Sequence, residues 1–154
     1  MYAERQGSLF DAGAEALVSP VNCIGVSGKG LAAVFKKRFP AEEAKFVEWC
    51  AQQARSVGDI LVVRRDGNHT EKVIIYVPTK QHWRNSSNFE SVSRAITNLA
   101  STIMRERLQR VAVPALGCGL GGLRWTQVRP LMEAAFSPIT AEVLVYQPNE
   151  ENPR

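Results

Sequence analysis

The run Val111–Leu116 is continuously apolar and rich in β-branched residues, and it passes directly into Gly117-Cys118-Gly119-Leu120-Gly121-Gly122, where four of six positions are glycine. A strand with no polar alternation has both faces covered, as central strands do in sheets with helices above and below. Four glycines are more than a turn requires, because each one ordered costs extra backbone entropy. Two explanations fit the excess: tight packing of backbone on its neighbours, or close approach of backbone to a ligand. A pyrophosphate is a suitable ligand, since it accepts several N–H donors at once. Ligands of open α/β sheets collect at the carboxyl ends of strands, which is where this turn lies.

The rest of the chain supplies matching elements. Residues up to about Gln6 and the run Ala16–Pro20 read as short strands. Leu31, Val34, Phe35 and Phe39 fall at helical spacing, and Pro40 separates that helix from a second one carrying Phe46, Val47, Cys50 and Ala54. Ile60–Arg64 and Lys72–Val77 read as strands flanking Asp66-Gly67-Asn68, which suits an antiparallel hairpin. Ser87-x-x-Glu90 has the form of a capping box, with Phe89, Val92, Ile96, Leu99, Ile103 and Leu108 keeping a helical period behind it. A further helix is expected from about Thr126, with Pro130 tolerable only in its first turn or so, and Glu142–Tyr146 is the last strand. The alternation implies an α/β fold with a mixed sheet and helices on both faces.

With 154 residues, 45% of them apolar and 22% charged, the chain has room for one globular domain with a sizeable core. That domain is expected over residues 1–148, with 149–154 as a polar C-terminal tail. No apolar run approaches the ~20 residues that span a bilayer. The start, Met-Tyr-Ala-Glu-Arg, has no apolar signal core, so a cytoplasmic protein without membrane contact is expected. Cys23, Cys50 and Cys118 fit no metal-ligand spacing, and no metal site is expected. The net charge of +4 favours an anionic partner. Lys36-Lys37-Arg38 reads either as a solvated helix face or as a patch for a nucleic-acid backbone.

A second glycine-rich segment, Asn22 to Gly30, connects a strand to a helix, so its amides and the helix N-terminus can face an anion. It is not a Walker A loop, because Cys23 stands where the first glycine belongs and Gly30 follows Lys29 where Ser or Thr is needed. Its G-x-x-G-x-G order is not the dinucleotide fingerprint either. A plain connection remains the alternative. The third candidate is Val77-Pro-Thr-Lys-Gln-His-Trp-Arg84, at another strand end. Most lysines are solvated surface charges. Held against an apolar wall, however, the amine of Lys80 loses its charge more readily and becomes a nucleophile. His82 and Trp83 offer a stacking surface for a base, or pack the loop.

Together, Gly7-Ser8-Leu9-Phe10, the segment Val18–Leu31, Pro78-Thr79-Lys80 and the segment Pro114–Leu123 resemble the macrodomain family, specifically its DarG-type branch, in order along nearly the whole chain. The resemblance implies a three-layer α/β/α sandwich with ADP-ribose lying across the two glycine-rich turns. It implies a DNA ADP-ribosyl glycohydrolase that removes ADP-ribose from thymidine, an antitoxin undoing the work of a DarT-type toxin. ADP-ribosylated DNA and that toxin are then the partners, and no cofactor is required. Ser8 and Leu9 would belong to the ADP-ribose site, as would Asn22, Cys23, Gly28, Lys29, Gly30 and Leu31 near the distal ribose. Thr79 and Leu116, Gly117, Cys118, Gly119, Leu120 and Gly121 would complete it, the last group holding the pyrophosphate through backbone amides. Lys80 would be catalytic beside the anomeric carbon, with His82, Trp83 and Arg84 as candidate base or DNA contacts.

Two positions depart from the wider family. Ser8 stands where an aspartate usually accepts a hydrogen bond from the adenine amine, so charge assistance is missing. Gly121 stands where a vertebrate branch acting on protein carboxylates has an aspartate, and DarG-type sequences carry glycine there as well. A binding module without turnover, a phosphatase acting on ADP-ribose 1″-phosphate, and an enzyme acting on modified protein are the alternatives.

Overall fold

The computed structural model describes residues 1–148; the expected polar tail, 149–154, lies outside the described residues. Six strands, β1 (Tyr2–Arg5), β2 (Ala16–Asn22), β3 (Leu61–Arg64), β4 (Val73–Lys80), β5 (Arg110–Pro114) and β6 (Glu142–Tyr146), form one sheet in the order β1-β6-β5-β2-β4-β3. All neighbours are parallel except β3, which returns antiparallel along β4 with Leu61 opposite Tyr76. The hairpin expected around Gly67 is present, and that glycine adopts φ +96°, a conformation other residues avoid.

Alternation along the strands decides the layers. On β4, Ile74 and Tyr76 face one side while Val73, Ile75 and Val77 face the other, and all five are buried. On the first side lie α1 (Gly30–Arg38) and α2 (Pro40–Gln52), which bring Phe35, Phe39 and Phe46 onto Leu17, Ile74 and Tyr76. On the second lie α3 (Phe89–Arg105) and α4 (Trp125–Phe136), whose Ile96, Leu99, Ile103, Met132 and Phe136 cover Val73, Ile75, Val111 and Val113. The result is the α/β/α sandwich that the resemblance implied. Pro40 opens α2 at its first position, where the missing N–H would have had no partner in any case. Lys36, Lys37 and Arg38 form the exposed last turn of α1, where positive charge complements the helix dipole. Among the described residues, no helix is long and apolar enough to cross a membrane.

Several expectations need correction. β2 and β4 run on past Pro20 and Val77 to Asn22 and Lys80, which are partners in register beyond a bulge at Val21/Asn22. Prolines cannot donate to the ladder, so Pro20 and Pro78 disguise these extensions as strand ends. Ser87 does not cap α3. Asn88 does, its side chain accepting from the N–H of Ser91 at 3.0 Å, and Ser87 is buried instead. Leu108 falls beyond the end of α3, following Arg107 at φ 55°. Pro130 lies in the second turn of α4, not the first. It is tolerated there because both Pro130 and Thr126, whose carbonyl loses its donor, are exposed to solvent.

The connections also locate a crevice. After β2 the chain moves outward to β3 and β4, and after α3 it crosses back to β5 and continues away to β6. The outgoing connections of β2 and β5 therefore diverge, leaving open the space beyond their carboxyl ends.

Phe46 stacks on Tyr76 at 4.9 Å between ring centroids, with 5° between the planes. Phe46→Ala is expected to lower the unfolding free energy by about 3–5 kcal/mol. Val47→Ala, next to it but facing solvent, should change it by less than about 0.5 kcal/mol. Urea titrations followed by circular dichroism measure both.

Candidate functional site

At the divergence of β2 and β5 the protein has a cleft of about 780 Å³. The first glycine-rich turn forms one wall, the second forms the opposite wall, and the ends of β4 and β6 complete it.

The first turn is pinned from within. Asn22 is only 4% exposed, and its Oδ1 accepts from the N–H groups of Ile24, Gly25 and Val26 at 3.1, 3.1 and 3.3 Å. Its Nδ2 donates to the Val26 carbonyl at 2.7 Å. Asn22 lines the cleft, but its amide is engaged in holding the loop rather than free to face a ribose. Further on, the buried Ser27 hydroxyl donates to Glu43 Oε2 of α2 at 2.5 Å. Burial pushes the Glu43 carboxyl above the usual range, with the Ser27 hydrogen bond opposing that rise. Between these pins and α1 lie Gly28, Lys29 and Gly30, all in the cleft wall. The N-cap of α1 is Lys29, which makes no side-chain cap, so no capping side chain covers the helix's first N–H groups beside the cleft.

The second turn divides its glycines between two duties. A Cβ on Gly117 would lie 2.9 Å from Leu123, and Gly117 also has φ +78°. A Cβ on Gly121 would lie 2.3 Å from Ser87 Oγ and 2.6 Å from the Gly117 carbonyl. These two are packing glycines. Gly119, by contrast, has nothing within 4 Å of its Cβ position and opens onto the cleft. The N–H groups of Gly119, Leu120 and Gly121 have no hydrogen-bond partner among the described residues. The Leu120 side chain, 60% exposed, reaches across to the first turn, where it would lie 3.1 Å from a Cβ on Gly30.

Thr79 and Lys80 reach the cleft from β4. Lys80 is half-buried, and its Nζ donates to the Trp83 carbonyl at 3.2 Å. Burial lowers its pKa from the ordinary lysine value. No Asp or Glu is among the described residues that line the cleft.

Of the other residues singled out from sequence, Ser8, Leu9, Leu31 and Trp83 line the cleft. Ser8 caps a single 3-10 turn over Leu9–Asp11, its Oγ accepting from the Phe10 N–H at 3.3 Å. Cys23, Leu116 and Cys118 do not reach the cleft, because their side chains are buried in the core behind the turns. Burial pushes the Cys23 thiol up to about 11 and the Cys118 thiol up to about 12, so neither supplies a thiolate. His82 and Arg84 flank Trp83 outside the wall. The cleft also includes Tyr146, Gln147 and Pro148, which sequence reasoning did not mark. Tyr146 ends the last strand, whose expected place in a mixed sheet left its direction open; it pairs parallel with β5, so its carboxyl end adjoins the central ones.

A family model for the Macro domain matches residues 18–132, and the chain belongs to the Macro domain family. The chain is 38% identical over 150 residues to the DNA ADP-ribosyl glycohydrolase of Thermus aquaticus, covering 97% of this chain and 41% of that protein. It thus spans about two fifths of the length of the curated relatives it matches. The solved macrodomain of Thermus aquaticus DarG superposes with a TM-score of 0.91 at 37% identity, covering 96% of this chain and 99% of that one. Thermosipho africanus DarTG, solved in complex with ADP-ribose, superposes with a TM-score of 0.88 at 30% identity, over 96% of this chain and 42% of its own.

The two classes of glycine predict different responses. Gly121→Ala should destabilise the fold by roughly 1–3 kcal/mol, because the new Cβ meets backbone. Gly119→Ala should stay within about 0.5 kcal/mol of the parent. Thermal melts of the two variants make the comparison.

Proposed function

We propose that this domain binds ADP-ribose across its two glycine-rich turns and hydrolyses the bond joining the distal ribose to thymidine in DNA, with Lys80 as nucleophile. The observation that carries this reading is a cleft wall with no carboxylate among the described residues that holds a half-buried lysine of lowered pKa. Most glycoside hydrolases rely on a pair of Asp or Glu residues. Here the available group is an amine whose neutral form burial favours.

The open N–H groups of Gly119 to Gly121 are donors for the pyrophosphate, with the uncapped start of α1 facing them. The Gly28-Lys29-Gly30 turn then meets the distal ribose. At the other end Ser8, Phe10 and Tyr146 offer adenine apolar contact and no charged acceptor. In the reaction, the Lys80 amine attacks the anomeric carbon and forms a C–N bond while the bond to the thymine nitrogen breaks. The base leaves with the electron pair and takes up the proton released from the lysine nitrogen. Water then displaces Lys80, giving free ADP-ribose and the unmodified amine.

The names of the relatives support the substrate: one is a DNA ADP-ribosyl glycohydrolase, and another joins a DNA ADP-ribosyl transferase to such a glycohydrolase in one chain. That fusion also supports a DarT-type transferase as the partner whose modification this domain reverses. A net charge of +4 suits a nucleic-acid substrate, and action on DNA would place the domain in the cytoplasm.

An oligonucleotide carrying ADP-ribosyl-thymidine tests the proposal. The protein should release unmodified DNA, and Lys80→Ala should lower the rate on the order of a hundredfold or more. Lys80→Arg should not rescue, since guanidinium stays protonated. The active form is the neutral amine, so the rate should rise with pH to a plateau, with its midpoint below the ordinary lysine value of 10.5. A rate that falls with pH would assign Lys80 instead to stabilising the leaving base. ADP-ribose binding without release from any linkage would make the domain a binding module.

A further inference from the structure

We infer that Trp83 is a stacking platform for a nucleotide flanking the modified one, so that the domain favours its target within an oligonucleotide over the free modified nucleoside. The inference rests on the glycohydrolase reading above and specifies what lies outside its cleft. Trp83 is 44% exposed, whereas the other aromatic residues of the wall are half-buried or buried. It is not among the buried or partly buried residues that make up the two hydrophobic cores.

The loop that carries the indole is set in advance. The Asn85 N–H donates to the His82 carbonyl at 3.0 Å, the His82 N–H donates to Asn85 Oδ1 at 3.1 Å, and the Arg84 N–H donates to His82 Nδ1 at 3.2 Å. An aromatic side chain presented by an ordered loop loses little entropy on binding. Beside it, the Arg84 guanidinium lies 4.6 Å from the ring centroid, and the His82 ring lies 5.3 Å away, tilted by 32°. Arg84 has no carboxylate partner among the described residues, so its charge is available to a phosphate when a base occupies the ring. An exposed aromatic joined to an unpaired cation is the composition of sequence-tolerant single-strand sites.

Position supplies the remaining step. The Lys80 amine donates to the carbonyl of Trp83 itself, and both residues line the same cleft, so the exposed indole belongs to the part of the wall that carries the amine. A nucleotide flanking a base held beside that amine has this indole as its exposed aromatic neighbour in the wall. A base paired in a duplex is out of reach of such a cleft, and a single strand presents both the modified base and its neighbours.

The test compares kcat/KM for ADP-ribosyl-thymidine as a nucleoside and within a single-stranded oligonucleotide. The parent should prefer the oligonucleotide. Trp83→Ala should reduce that preference roughly 5- to 150-fold, the effect of losing one stacked base. Trp83→Phe should restore most of it. Arg84→Gln should flatten the salt dependence on the oligonucleotide, lowering the log-log slope by roughly 0.7, as expected for one phosphate contact on a single strand. A parent with no preference, or a Trp83→Ala that slows both substrates equally, overturns the platform and leaves the glycohydrolase reading intact. No release from either substrate by the parent overturns that reading, and the platform with it.

Discussion

Burial of both faces of the central strands is the constraint on which the rest of the molecule depends. Side chains of β2, β4 and β5 alternate between two aromatic and aliphatic layers, and nearly all of them are buried. Reactive groups in such a sheet can emerge only at the strand ends, where the layers stop. Asn22, Lys80 and the turn after Pro114 all occupy that edge. Divergence of the connections after β2 and β5 keeps it open to solvent. The site is thus built mainly from backbone, with few side chains.

Backbone donors are useful only if the loops carrying them hold still, and each glycine-rich turn has its own restraint. In the first, the Asn22 side chain makes four hydrogen bonds to the loop it begins, and the Ser27–Glu43 contact fastens the loop's far end to α2. In the second, the Ser87 N–H donates to the Gly121 carbonyl at 2.9 Å, and the Leu123 N–H donates to the Gly117 carbonyl at 2.9 Å. These contacts leave the amides of Gly119 to Gly121 without a hydrogen-bond partner among the described residues. A preorganised set of donors is more effective toward an anion than one that must be assembled on binding.

Much of this could be read from residue order. The buried strand before Gly117, the hairpin at Gly67 and the helices around Pro40 have strong local signals, and the structure contains them, although α1 ends at Arg38, before Phe39, and α2 ends at Gln52, short of Ala54. What stayed hidden depends on tertiary neighbours. Pro20 and Pro78 look like strand ends, yet both sit within strands that continue to the cleft. Ser87 has the spacing of a cap, but the cap is Asn88, whose side chain accepts from Ser91, while Ser87 is buried against the second turn with its N–H on Gly121. The glycines of the second turn are indistinguishable as letters. Only the positions of Ser87, Leu123 and the Gly117 carbonyl separate those that serve packing from the one that opens to the cleft.

That separation bears on the chemistry. Any side chain at position 121 would begin with a Cβ inside van der Waals contact of the Gly117 carbonyl and of Ser87. A side chain there would force Ser87 or the Gly117 carbonyl to shift. A turn with this backbone therefore excludes a carboxylate from position 121 on steric grounds, while Gly119 stays open. A carboxylate beside the Lys80 ammonium would raise its pKa, since an opposite charge favours the protonated form, and none lines the cleft among the described residues. Without it, burial acts unopposed and lowers the pKa of the amine. The packing of Gly121 against Ser87 thus keeps an acid from that position, and burial is what acts on the Lys80 amine.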